Sequence, residues 1–406
     1  MLKGTEKPDA LNGAAGSSPD GRSDIKISLV RGGPFYRAQE AVRLLDANRW
    51  NLGRRITVGV GMAWVPLVIL TALFNPHALR GLLSDYPLNV RLLFAIPMLL
   101  VGQVVMENSF RKIVRHIDEA GLLTASDASR LDQTLVSLIR LRDSVIPEAV
   151  IVVLSYVRVT AMYHNLRSIA YPWAVAGTGV ALHLSAAGWY FAAVSQFVYQ
   201  FLLYISLWKW FLWAAFLFRL SRLDLQIVPT HPDRHGGLGF LGLSPLAIAP
   251  TAFVACAAIG ATWRAQILRG GLLHLMDFKI PAVILVLVIL VIAFGPLAFF
   301  IPKLAQLRRQ GILQYGILGQ IHSTEFHLKW VQHRAGHEEE FLNAPEISAL
   351  IDFESSFENI EKLQPFPLDK GAFVALVLSI VLPMLPVVLA EIPLIEVLKG
   401  LLSALK

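Results

Sequence analysis

Residues 189–218 read WYFAAVSQFVYQFLLYISLWKWFLWAAFLF, 30 residues in which apolar and aromatic side chains run almost unbroken. As one helix this stretch would be about 45 Å long at 1.5 Å per residue, more than the ~30 Å of hydrocarbon in a bilayer. It is predicted to cross a membrane and either tilt or project beyond it. Similar runs occupy 56–74, 92–106, 246–263, 280–301 and 372–390, and a seventh, 148–163, is interrupted by Arg158. Only helices and closed barrels satisfy every backbone polar group inside lipid, and no alternating strand pattern is present. The fold class predicted is therefore all-α, a polytopic transmembrane bundle of about seven spans with a small helical cytoplasmic layer.

Composition agrees. The chain is 55% hydrophobic with a mean hydropathy of +0.56, and 16% of it is charged, against about 25% in an ordinary soluble domain. The single cysteine, Cys256, falls inside a predicted span, so an intrachain disulfide is excluded. A net charge of +7 would suggest nucleic acid in a soluble chain; here the basic residues gather at span edges, where they set orientation and meet anionic lipid. With the amino terminus cytoplasmic, Arg54, Arg55, Arg111, Lys112, Arg115, Arg140, Arg142, Arg219, Arg222, Lys303, Arg308 and Arg309 all fall inside. Few fall outside, chiefly Arg80, Arg91, Arg167, Arg264, Arg269 and Lys279. This asymmetry predicts seven spans, amino terminus in and carboxyl terminus out, and a third run that failed to cross would reverse every later segment.

Outside the spans, residues 1–28 are too polar to bury a core and are expected to be disordered, and no cleavable signal peptide is read there. Residues 29–55 form an interfacial segment in which Pro34 opens an amphipathic helix with Phe35, Ala38, Val42 and Leu45 on one face. The spans occupy 56–301 and carry a cytoplasmic helical hairpin at 107–146, broken near Gly121 and capped by Thr124 or Ser126. Residues 302–370 form a cytoplasmic helical segment, and 371–406 hold the last span and an amphipathic tail. Trp208, Lys209, Trp210 and Trp213 cluster near the inner end of the fourth span, with Trp189 and Tyr190 at its outer end. Interfacial anchoring is preferred over a cation cage for these aromatics because it is their common use.

Four constellations could carry chemistry. Arg158 is the leading pointer: a charge near mid-bilayer costs at least ~2.5 kcal/mol and normally faces water or a partner. Gln196 and Gln200, one turn apart on the fourth span, could line a polar pathway with it, and snorkelling to the outer headgroups is the plainer alternative. The string PTHPDRHGGLGFLGLSP, residues 229–245, contains a literal GxGxxG at Gly237–Gly242, rejected as a dinucleotide site because no strand precedes it. Within it His231, Asp233 and His235 have the residue types of a metal site, with Arg234, Gly236 and Gly237 completing an inner turn. A rigid turn in which Asp233 accepts backbone N–H bonds is preferred, and no metal or other cofactor is assigned. His333 and His337 beside Glu338–Glu340 are likewise read as a solvated face rather than a zinc pair.

The strings LVRGGPFYRAQ at 29–39, SRLDL at 221–225 running into PTHPDRHGGLGFL, and the later PEIS, SFENI and PFP together resemble a group of uncharacterised bacterial polytopic inner-membrane proteins with a PTHPDRxGGLGFL string. The resemblance spans 29–402. It implies a bacterial inner-membrane location and no activity, substrate or site. In that group the position of His235 tolerates small residues, which weakens the metal reading.

The chain has no Walker A sequence, potassium filter, intramembrane carboxylate chain or arginine series. The function expected is an oligomeric channel or transporter for an ion or small polar solute, routed past Arg158, Gln196 and Gln200. Two alternatives are a membrane scaffold or sensor recruiting a cytoplasmic partner and a metal-dependent membrane enzyme using His231, Asp233 and His235. Lipid and further copies of the chain are the expected partners, and nucleic acid is not.

Overall fold

The computed structural model describes residues 28–45, 50–169, 171–176, 183–270, 273–332 and 345–391. The expected disordered tail 1–27, the His333/His337 pair with its glutamates, and the tail after 391 lie outside the described residues. Ten helices carry the architecture: α1 (Pro34–Ala41), α2 (Leu52–Phe74), α3 (Tyr86–Glu119), α4 (Ala125–Asp143), α5 (Val145–Ile169), α6 (Ala186–Leu220), α7 (Gly239–Arg269), α8 (Leu275–Gln332), α9 (Pro345–Glu361) and α10 (Lys370–Val388). Two-residue strands, Val175–Ala176 and His183–Leu184, pair antiparallel in the connection after α5.

Six of these helices, α2, α3, α6, α7, α8 and α10, are long and apolar enough to cross a membrane. The third run, doubtful in the sequence, forms α5, whose 25 residues reach about 38 Å. Both its ends are pinned to the ends of α2. Glu148, in its first turn, accepts from the backbone of Phe35, beside which Gln39 meets Arg55 of α2. Pro172, just past its last turn, accepts from Asn75 at the other end of α2 at 3.0 Å. Arg158 therefore does not stop this helix from running the length of a neighbour that crosses. This is the build of an integral membrane protein. The end holding the amino-terminal segment is called the near end below, the opposite end the far end.

Three of the helices longer than a bilayer needs run on at the near end. α6 has 35 residues, about 52 Å, and meets the predicted excess by projecting at the near end. α8 has 58 residues and a 3₁₀ stretch at Gly295–Phe300, introduced by Gly295 and Pro296, divides its membrane part from a near-end extension. Against that extension α9 folds back antiparallel, with Gly311 facing Ile360 and Gly319 facing Phe353. α3 likewise runs on to a turn at Gly121 (φ +61°), after which Thr124 caps α4 through the N–H of Asp127 at 3.2 Å. These extensions form a helical layer at the near end.

Buried apolar residues fall into two clusters, one toward each end. Along α3 the far cluster runs from Leu88 to Leu100 and the near one from Met106 to Ile117; along α6 they change over between Ile205 and Trp210. Buried polar residues stand at the changeover: Gln103 and Glu107 on α3, Ser206 and Lys209 on α6, Arg55 on α2 and Glu148 on α5. Two expectations change in detail. α1 ends at Ala41, before the Val42 and Leu45 that the expected amphipathic helix included, and it turns Gln39 inward rather than lying as a free amphipathic face. Trp210 and Trp213 are core residues rather than interfacial anchors, Trp210 donating to the carbonyl of Ile292 at 2.9 Å, whereas Trp189 is exposed.

The near-end layer is closed by loops passing at backbone distance. A Cβ on Gly242 would sit 2.7 Å from the Asp369 nitrogen and 2.9 Å from the Pro367 oxygen, both backbone atoms. Gly242→Ala is expected to lower stability by about 1–3 kcal/mol, the usual cost of overpacking, read as a lower thermal unfolding midpoint in detergent. Gly61→Ala, where a Cβ meets open space, is the control and should leave the midpoint within error or raise it slightly.

Candidate functional site

Among the described residues, charged side chains of several crossing helices are buried together at the seam between the two apolar clusters. Its near side is built by the amino-terminal segment. Gly32 and Gly33 take φ of +143° and +87°, which a side chain would resist, and a Cβ on Gly33 would lie 2.6 Å from Oε1 of Glu148. The turn delivers the Gly33 N–H to Asp143 Oδ1 at 2.9 Å and the Phe35 N–H to Glu148 Oε2 at 2.7 Å. Arg142 donates to the carbonyls of Ser28 and Arg31 and, at 2.7 Å, to Asp143. Burial alone would raise the Asp143 carboxyl, but its bonds to Arg142 and Gly33 and the charge of Arg37 outweigh this and hold it below the usual carboxylate range.

Deeper in, Glu107 accepts from the Ser28 hydroxyl and, at 2.6 Å, from Nε of Arg111 one turn along α3. Arg55, 3% exposed, donates Nε to Gln39 at 2.8 Å and Nη2 to Gln103 at 2.9 Å. Lys209 is 6% exposed. The charges in electrostatic range of it are Arg55, Glu148, Glu107 and Arg142. Four bases (Arg55, Arg111, Arg142, Lys209) thus stand against three acids (Glu107, Asp143, Glu148), and each acid already accepts from other donors. A site of this kind can bind an anion or exchange a proton.

The residues singled out in the sequence fall in three places. Gln196 and Gln200 are buried on α6 beside each other, the amide of Gln196 reaching Gln200 at 3.4 Å while the Gln196 oxygen has no donor. A π-helical turn at Phe191–Ser195 immediately precedes them. Arg158 is on the outer surface of α5, while Ile151 and Ser155 form that helix's buried face. It lies within electrostatic range of Tyr199 on α6 without a direct bond to either glutamine. The third group sits at the near end: Asp233 accepts from the backbone N–H groups of His235 (2.8 Å), Gly237 (3.1 Å) and Gly239 (2.8 Å), and His231 Nδ1 lies 2.8 Å from the same carboxylate. His235 Nδ1 contacts the Gln364 carbonyl at 3.0 Å, and Gln364 donates back to the Arg234 carbonyl at 2.8 Å. Arg234, Gly236 and Gly237 have positive φ. The turn ties the near-end loops together, and among the described residues no three His, Cys, Asp or Glu side chains are grouped to hold a metal ion.

None of Lys209, Glu107, Glu148 and Arg55 is predicted from the sequence as a site residue: Lys209 enters there only with the tryptophans and Arg55 only as an orienting charge. Three of them stand at or near the ends of their runs, where charges are expected. Lys209 did carry a signal: it is the one charged residue in the 30-residue run 189–218, and its tryptophan neighbours concealed it as an interfacial anchor. No protein-family model, curated protein or solved structure matches the chain.

Asp233→Ala removes one carboxylate from three backbone donors and is expected to destabilise the protein by about 3 kcal/mol, since charge-assisted bonds contribute roughly 1.5–3 kcal/mol each and do not add fully. Burial pushes the Asp233 carboxyl up, but these N–H bonds and His231 outweigh it and leave it below the usual range. A lowered folded value stabilises fully above the unfolded value of ~3.9 and is lost as pH falls through the folded one. Wild-type thermal midpoints should therefore fall below about pH 4, and Asp233→Asn should flatten that part of the acid limb.

Proposed function

We propose that this chain is an inner-membrane protein of bacterial type, near end cytoplasmic, that moves an ion or small polar solute by way of the seam around Lys209. The observation carrying this reading is a lysine buried on a crossing helix, in electrostatic range of acids on α3 and α5. A charge held inside a membrane bundle is costly, and such residues generally mark ion or substrate paths and proton relays. The orientation rests on the near end collecting Arg54, Arg55, Arg111, Lys112, Arg115, Arg140, Arg142, Arg219, Arg222, Lys303, Arg308 and Arg309. Gln196 and Gln200 lie on the same helix, 13 and nine residues before Lys209, and extend a polar line along α6 toward the far end. Arg158 stands beside that line on the outer surface.

The test is flux of chloride, nitrate and protons into liposomes carrying the purified protein. Wild type should exceed empty liposomes for at least one of them, and Lys209→Met should lower that flux by about tenfold or more, with Lys209→Arg intermediate. Absent wild-type flux, or unchanged flux in correctly inserted Lys209→Met, contradicts the reading.

A second reading has its own observation. On the near-end extension of α8, Leu313, Ile317, Leu318 and Ile321 are all more than half exposed and recur at helical spacing. A stripe of this kind beyond the membrane part fits another copy of the chain or a cytoplasmic protein, as a scaffold or an oligomeric transporter would need. Ile317→Glu with Ile321→Glu is expected to shift native mass spectra toward the monomer if a second copy covers the stripe. An unchanged distribution removes self-association there.

A further inference from the structure

The crossing helices enclose a crevice of about 290 Å³ whose chemistry is graded along its length. Its α2 wall consists of Arg55, Val58, Gly59 and Met62, spaced i, i+3, i+4 and i+7, hence one helix face. Phe197, Val198, Phe201 and Leu202 of α6 form the facing wall, with Leu100 and Val152 between. All of these but Arg55 are apolar. Phe35 and Gln39 of α1, with Leu44, close the Arg55 end. At the other end Val58 and Met62 are 40% and 47% exposed on the lipid-facing surface of α2.

At the closed end one buried donor of the crevice lining lacks an acceptor, and its neighbour Gln103 leaves it free. Arg55 has Nε fixed on Gln39 and Nη2 on Gln103, which leaves its Nη1 buried and unpaired. Gln103 uses its oxygen to accept from Arg55, so its Nε2 faces away from that bond and is also buried without a partner. Turning the Gln103 amide over would set its NH₂ against the guanidinium, so the orientation is imposed by Arg55. An unsatisfied guanidinium N–H at the closed end matches an anionic oxygen, which takes a charge-assisted bond from it.

We propose that this crevice binds one acyl chain ending in an anionic oxygen group, carboxylate or phosphate, which enters from the bilayer between α2 and α6 and sets its head on the Arg55 guanidinium. Arg55 is the fourth residue of α2, so the head rests toward the near end of the groove and the tail follows α2 toward Met62. The seven steps of helical rise from Arg55 to Met62 give the groove a length of about 10 Å. The proposal does not depend on the transport reading: a protein that moves nothing could still hold this lipid.

Delipidated protein titrated in detergent and read by native mass spectrometry gives the test, with oleate, phosphatidylglycerol and oleyl alcohol as probes. One equivalent of oleate or of phosphatidylglycerol should bind, and oleyl alcohol about tenfold or more weakly, because it lacks the charge. Oleate alone binding identifies a free fatty acid, phosphatidylglycerol alone identifies a phospholipid head, and either supports the proposal. Arg55→Gln should weaken the anionic probe about tenfold, and Met62→Trp, which fills the mouth and leaves Arg55 in place, should weaken all probes together. Should Arg55→Gln fail to fold, the oleate against oleyl alcohol comparison and Met62→Trp still decide. Equal binding of oleate and oleyl alcohol, or oleate binding unchanged in Met62→Trp, overturns it.

Discussion

Burial of charge inside a lipid-facing bundle is the constraint on which the rest of this structure depends. Lys209 and Glu107 sit where the two apolar clusters meet, and neither could stay there in hydrocarbon without neighbours that supply charge and hydrogen bonds. Those neighbours come from four other parts of the chain: Arg55 on α2, Glu148 on α5, Arg142 at the end of α4 and the segment after Ser28. Removing one partner of a buried pair typically costs about 3–5 kcal/mol, since the other charge is left stranded. The seam therefore fixes which helices must lie together as firmly as the apolar packing does.

The amino-terminal segment is a structural member of that seam. Its Gly32–Gly33 turn passes too near Arg142 and Glu148 to carry side chains, and it gives backbone N–H groups to Asp143 and Glu148. Polar demands that water would meet in a soluble protein are met here by folded-back backbone. The PTHPDRHGGLGFL turn works the same way at the near end, where the oxygens of Asp233 organise three backbone N–H groups and Arg234 and His235 clasp Gln364. One turn supports the seam and the other holds the helical layer beyond it.

The crossing helices were legible in the sequence because lipid demands uninterrupted apolar length, and 189–218 or 280–301 admit no soluble alternative. Thr124 as a cap and Asp233 as the centre of a turn were legible for a local reason: each acts on backbone within a few residues. The seam was not legible, because it joins residues far apart in the chain, such as Ser28 with Glu107 and Gly33 with Asp143, and no local spacing announces such meetings. Arg158 drew attention by interrupting an apolar run, yet an arginine on the outer face can extend toward the interface. Lys209 interrupts a longer run and is buried. Telling the two apart required knowing which face of each helix turns inward, and α6 offered little guidance because apolar residues surround it on every side.

The central claim is that water-soluble species reach the seam. Substituting Lys209→Cys in a Cys256→Ser background, with Phe211→Cys as a lipid-facing reference on the same helix, exposes each position to a charged, membrane-impermeant thiol reagent added at the near end. The account predicts that position 209 reacts well above position 211, although 209 is the more buried of the two. Labelling at 209 no faster than at 211 would contradict it and leave the seam a purely structural joint.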